Sequence, residues 1–436
     1  MTTTEAGNDV PPTAAEMPVV PRAAAEPHPS GLPAAMANAR PALRDGVVLG
    51  RAHRRGDAVV HHVKDAETGW FYRVGPREHA ILSLMDGTRT IAEIGDEYAL
   101  RFDRRLGPDN WRQLFTMLGK RQLLADGVSR QALDALRLAR EADENRNRSV
   151  LRRRLPLVRP AAFFGRVAPR IGVVFTPWFV VPALLAVLAL EVFVLGNIGQ
   201  LRADIAAGPG IWVYLAPSIV VTWLLLVLHE SAHGLTCTRF GGTAGELGVM
   251  WRFPIAAPYC KTDDVVLMPR RHGVATAFAG VFANLVALVP FAVGYWLAEP
   301  GGFARGFCAA VLLFGSVSAL LNLVPFLQLD GYHMINNALG TLDLRGETYR
   351  FWGALLRDRS SVRGYPTRDR WAYGVYGVSS LLFTLAVVGA LATLWFRTMR
   401  PWFGTTGAIA VLVVEAVAVL ALLGWAARRG RAARST

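Results

Sequence analysis

Past residue 170 the chain returns six times to apolar stretches long enough to cross a bilayer, at about 173–196, 211–236, 272–297, 303–326, 371–396 and 405–427. Nothing else in the sequence constrains the fold as much. Backbone N–H and C=O groups in hydrocarbon must be satisfied within the protein, so runs of this length are read as helices. The chain has 436 residues, 52% of them hydrophobic, which is high for a soluble protein, and the excess lies after residue 170. The expected fold is therefore a multi-pass α-helical membrane protein of about six transmembrane helices over residues 171–427. A small N-terminal α+β domain of winged-helix type precedes it.

The net charge of +14 is almost all arginine, since the only lysines are Lys64, Lys120 and Lys261. Such a balance can point to nucleic acid, but the placement of the arginines gives another cause. Lys and Arg number 8 in Arg146–Arg170, 5 in the 237–271 loop, 7 in the 327–370 loop and 4 after residue 427. The opposite side carries Arg202, Arg397 and Arg400, with Arg305 at a boundary. The positive-inside rule then places the N-domain, both long loops and the basic tail 428–436 in the cytoplasm. Both termini are cytoplasmic on this reading, and no nucleic acid is needed to explain the charge. Cys237, Cys260 and Cys308 make no disulfide framework, and Cys237 is read as packing.

Residues 1–37, rich in Ala, Pro and Glu, are expected to be a disordered arm. Residues 38–128 read as a compact domain. Strands are expected at Gly46–Arg51, Ala58–Val63 and Trp70–Val74, and helices begin at Pro76, Thr90 and Pro108. Arg112, Lys120 and Arg121 would serve a DNA phosphate backbone as well as an acidic peptide. Residues 129–170 are expected to be a basic linker helix.

The chemistry centres on Leu224–Gly234, LLLVLHESAHG, at the end of the second apolar run. Residues i and i+4 share a helix face, so His229 and His233 can reach one metal ion, with Glu230 on the flank where water would sit. HExxH is the spacing of a zinc hydrolase helix with glutamate as general base. A third ligand is required. Arg239 stands where a third histidine would follow, and Glu246 lies in a Gly-rich loop close to the motif. Asp330, in NLVPFLQLDGYH after the fourth span, is on the same side as the end of the HExxH helix and is the strongest candidate. Ligand type alone leaves iron or cobalt open.

With NxxPxxxLDG two spans after HExxH, residues 211–340 resemble the site-2 protease family of intramembrane zinc metallopeptidases. The resemblance implies one Zn2+ per chain held by His229, His233 and Asp330, with Glu230 as the catalytic base. Asn322, Pro325 and Gly331 match the surrounding pattern. Asn284, one turn after Gly280, would help position substrate together with Asn322, although Leu285 follows where the family commonly has proline. The run FYRVGPREHAILSLMDGTRTIAEI resembles the PqqD-like peptide-recognition domain, which binds a precursor's leader by β-augmentation. Together they resemble the intramembrane metalloproteases that mature ribosomally synthesised peptides, among them the daptide type. That implies a bacterial cell membrane, a precursor leader peptide as partner, and association with other peptide-modifying enzymes. The competing functions are a regulatory protease cutting a membrane-bound signalling protein and a non-catalytic metal-binding transporter or binder.

An extended substrate edge is expected in the 237–271 loop, at Val265–Leu267. Glu415, inside the last span, is a candidate by virtue of an intramembrane carboxylate's cost. Glu191 is expected at the membrane interface, His333 beside the metal ligands, and His61, His62 and His79 at the surface or in packing.

Overall fold

The structure, a computed structural model, describes residues 15–16, 32–146, 152–207, 211–252 and 255–432. The chain divides into two compact units. The larger runs to Arg54 and from Ala58 to Thr341; the smaller holds Arg55–Asp57 and everything from Leu342.

In the larger unit β1 (Ala15–Glu16) and α1 (Ala34–Ala37) come first, then β2 (Val47–Arg55), β3 (Ala58–Asp65), β4 (Phe71–Val74), α2 (Pro76–Leu84), α3 (Ile91–Phe102) and α4 (Pro108–Lys120). The sheet order is β1-β4-β3-β2. Each helix begins where its sequence supplies a start. Thr90 and Glu93 form a reciprocal capping box on α3, and Pro108 opens α4 where its missing N–H costs nothing. Val63, Tyr72, Val74, Ile81, Ile94, Trp111 and Leu118 close the core of sheet and helices. The arm departs from expectation in two places: β1 pairs parallel with β4, Ala15 opposite Tyr72, and α1 forms one helical turn. The rest of the arm, 1–14 and 17–31, lies outside the described residues.

The linker is not one helix. It is α5 (Arg130–Arg146), β5 (Arg152–Val158) and α6 (Ala161–Arg170), with 147–151 outside the described residues. In β5 the run RRRLPLV pairs antiparallel with β6 (Leu247–Arg252), which pairs with β7 (Ile255–Cys260). A helix through Pro156 would lose a backbone bond, whereas an edge strand tolerates it. This recruitment spans nearly a hundred positions of sequence, so no local pattern announces it.

Four long apolar helices complete the larger unit: α7 (Pro177–Gly196), α9 (Ile211–Arg239), α10 (Arg270–Leu297) and α11 (Phe303–Asn322), with the short α8 (Ile198–Ala207) and α12 (Asp330–Leu339). α10 packs against α9, α11 and α12. Val281, Leu285 and Leu288 of α10 meet Leu190, Tyr214 and Leu312 in one core. At one end of α10, Asp204 Oδ2 accepts from Tyr295 Oη at 2.6 Å and from Arg305 Nε at 3.1 Å, tying α8 to α10 and α11. Glu191, near the end of α7, is 8% exposed and faces Ser316 of α11, because α11 packs over the face of α7 that carries it.

The smaller unit holds α13 (Leu344–Arg357) and α14 (Thr367–Ala432). Tyr373 is fully buried among Phe351 and Tyr365. α14 is 66 residues long and leaves helical geometry at Gly404, whose φ is 65°. Among the described residues five helices are long and apolar enough to cross a membrane, the last being Thr367–Ala418. The stretches expected as fifth and sixth spans lie on either side of the break at Gly404, where two helices meet. Glu415 is exposed on it.

Candidate metal centre

His229 and His233 stand one turn apart on α9, both buried, at 5% and 8% exposure. Asp330 is the first residue of α12, where the helix N-terminus favours a carboxylate. The fold brings the three together. His229 Nε2 lies 2.9 Å from Asp330 Oδ2, His233 Nε2 lies 3.3 Å from Asp330 Oδ1, and the two Nε2 atoms are 3.1 Å apart. His233 Nδ1–H donates to the Thr276 carbonyl at 2.6 Å, which leaves the Nε2 lone pair turned toward its neighbours. Lone pairs gathered this closely repel one another unless a proton or a cation lies between them. Ligand atoms around a tetrahedral zinc stand about 3.3 Å apart, so the donor set fits such an ion. Burial opposes ionisation of Asp330, but the hydrogen bonds and charges of His229 and His233 outweigh it and hold the carboxyl well below its usual range.

Two glycines make this geometry feasible. A Cβ on Gly280 would overlap both imidazoles, so only glycine lets α10 pass behind them. A Cβ on Gly234 would meet the Phe164 ring and come within 2.8 Å of Cys260 Sγ. The bare backbone there admits β7 against α9. That approach places the Cys260 N–H 2.8 Å from Glu230 Oε2, which accepts from it. Burial, then the charge of Glu230, pushes the Cys260 thiol up to about 12, so it stays protonated beside the site.

Other sequence candidates sit as follows. Asn284 is buried on α10, one turn beyond Gly280, and its Oδ1 has no hydrogen-bond partner. Asn322 ends α11, half-buried. His333 rings against Tyr332 and is not in the His229–His233–Asp330 group. Cys237 is fully buried packing, as read. Val265–Leu267 form the end of a 3-10 turn over Asp263–Leu267; the extended segments of that loop are β6 and β7 instead. The turn's last residues are held by side-chain and backbone contacts that a strand would not satisfy.

The N-terminal sheet braces this centre through contacts that no local pattern announces. Lys64 pairs with Asp264 at 2.6 Å, and Asp264 in turn accepts from Thr243. His53 Nε2–H donates to Val266 O at 2.7 Å, and Arg54 N–H donates to Gly340 O at 2.9 Å. These bonds grip the turn that follows β7 and the far end of α12, the helix that begins with Asp330. His53 and His62 are 2% and 1% exposed, with rings 5.3 Å apart. His62 is thus a core residue, whereas His61 and His79 stack on each other half-buried. Thr276 contributes through its backbone, which carries no signature in the sequence. Gly234 could have been noticed as the small residue next to the motif.

Fold and site together define a helical membrane protein with a candidate metal centre inside its bundle. No protein-family model matches the chain, and neither a curated protein nor a solved structure does.

Proposed function

We propose that the chain is a membrane-embedded zinc endopeptidase that cleaves a ribosomally synthesised precursor peptide recognised through its leader. The observation that carries this reading is the convergence of the His229, His233 and Asp330 donor atoms, all within 4.8 Å of one another, with the Glu230 carboxylate alongside. A purely structural metal site has no use for Glu230.

A zinc-type cation held by those three residues supplies Lewis acidity to the scissile carbonyl and makes water more acidic. Glu230, steadied at Oε2 by Cys260 N–H, takes the proton of the attacking water at Oε1 and passes it to the leaving amine. A helical substrate hides its carbonyls in its own hydrogen bonds and must unwind first. β7, the edge strand of its sheet beside Glu230, receives the unwound segment. Asn284 and Asn322 orient it. The leader pairs with β4 in place of the two-residue β1, which occupies that side of the strand. α14 crosses twice, breaking at Gly404, for six spans with both termini on the arginine-rich, cytoplasmic side of a bacterial membrane.

The test is Glu230→Gln in the full chain, expressed together with a candidate leader-bearing precursor peptide. Maturation is expected to fall by about 10²–10⁴-fold while metal analysis still returns one zinc per chain. Unchanged maturation would overturn the proposal.

A further inference from the structure

A cavity of about 640 Å3 opens between Trp352 of α13 and the first turns of α14, all within the smaller unit. Its lining changes character along its length. Thr367 and Arg370 stand at one end, Trp371 beside them, and Gly374 and Val378 lead away down the helix. From Thr367 to Val378 the helix rises roughly 16 Å, about half the thickness of a bilayer's hydrocarbon core. The groove is therefore one leaflet deep, with its cation at the shallow end. Arg370 Nη2 donates to Thr367 Oγ1 at 3.2 Å, one turn back, and no carboxylate pairs with Arg370 among the described residues. Between Arg357 and Arg370 there are five arginines and two aspartates, and Asp358 bonds Ser360 and Ser361. Trp371 is 71% exposed beside the mouth, as an indole at the headgroup level would be.

We infer that this groove binds one anionic phospholipid. The phosphate sits on Arg370 and Thr367, and one acyl chain lies over Gly374 toward Val378. A soluble anion would use Arg370 but leave the apolar length of the groove empty. A zwitterionic lipid would fit the shape without answering the surplus of arginine. The groove is open at Gly374, where a Cβ would meet nothing within 4 Å.

That open space also supplies a clean test. Gly374→Leu fills the groove without displacing a neighbour, and leucine is the better helix former. The full chain, purified in detergent and offered dioleoyl phosphatidylglycerol, is examined by native mass spectrometry. The wild type is expected to retain one lipid per chain. Gly374→Leu and Arg370→Gln should each reduce retention by about tenfold or more, as loss of a charge-assisted contact implies, and Arg368→Gln, outside the groove, should not. Retention by Gly374→Leu equal to wild type would refute the site, as would equal retention of dioleoyl phosphatidylcholine. Displacement of the lipid by soluble glycerol phosphate would reassign the groove to a free anion. Thermal melts of each variant separate loss of lipid from loss of fold.

Discussion

α10 and α14 are equally apolar, each with a mean hydropathy of 2.0 over its most apolar window, yet 33% of that window is buried in α10 and 0% in α14. Both helices carry small residues among the aliphatic ones; the difference lies in which of them the fold packs against a neighbour. α10 buries Gly273, Thr276, Ala277, Gly280 and Asn284. α14 exposes Leu381, Leu382, Leu385, Val388 and Leu391. Lipid solvates a leucine as well as protein does, so hydrophobicity alone gives helices in a bilayer no reason to associate. Close approach at small residues and bonds between polar groups decide which helix is enclosed. The enclosed helix is the one that backs the metal ligands.

The sharpest way to break this comparison is to exchange the surroundings of two glycines. Gly280→Leu drives a side chain into both imidazoles, and we expect zinc content to fall from one per chain to near zero, with peptide processing lost. Gly389→Leu on α14, where a Cβ meets nothing within 4 Å, should leave both unchanged. Metal analysis and processing assays on the pair decide the matter; equal effects would mean that α10 is not a closer support than α14.

A smaller effect separates metal holding from catalysis. Cys260→Pro removes the N–H that Glu230 Oε2 accepts from, at an edge where proline is tolerated. Processing should drop about tenfold, the loss of a charge-assisted hydrogen bond, with zinc retained. Cys260→Ala, which keeps the N–H, should process at the wild-type rate.

The brace on the α10 side is expected to depend on pH. Burial, then the charge of Arg51, lowers His53 to about 4; burial, then the charges of His53 and Arg73, lowers His62 to about 3. The unfolded chain takes up protons below its ordinary 6.5, whereas the folded domain does not until these lower values. Their stabilisation is thus complete above pH 6.5 and is lost as the pH falls toward 4 and then 3. The slope is at most about 1.4 kcal/mol per pH unit for each imidazole. His62→Leu removes one titrating group, so denaturant melts between about pH 7 and pH 4 should show the variant gaining on the wild type as the pH drops. A constant gap would show that His62 is not held neutral.

Smallest of all, Glu415→Gln on the exposed face of α14 should change neither zinc content nor processing. A measurable loss in either assay would give this carboxylate a part in the function.

The pairing of His229 with His233 was legible because i and i+4 on a helix are neighbours whatever surrounds them. Asp330 was legible through the count of arginines on each side, which put its loop and the end of the HExxH helix at the same face. Other features depend on distant chain. The position of Glu191 near the end of an apolar run says nothing of its neighbours, and it is the packing of α11 that encloses it. Val265–Leu267 looked like a strand by residue type, while the backbone spends its bonds on a turn. The recruitment of β5 to β6, and of β1 to β4, follows from edges that exist only once the sheets have formed.

Composition and periodicity by themselves determined that the chain after residue 170 is a set of long apolar helices, and that one of them presents two imidazoles and a carboxylate near its end. Those properties are local, set by solvation in lipid and by the pitch of the α-helix. Only the tertiary structure decided that Asp330 meets the imidazoles, that Gly280 gives way to them while Gly234 admits β7 against α9, and that the N-terminal sheet grips the turn after β7 and the end of α12. Those facts depend on which surfaces come within a few ångströms of one another, and packing distance is not written in any single stretch of sequence.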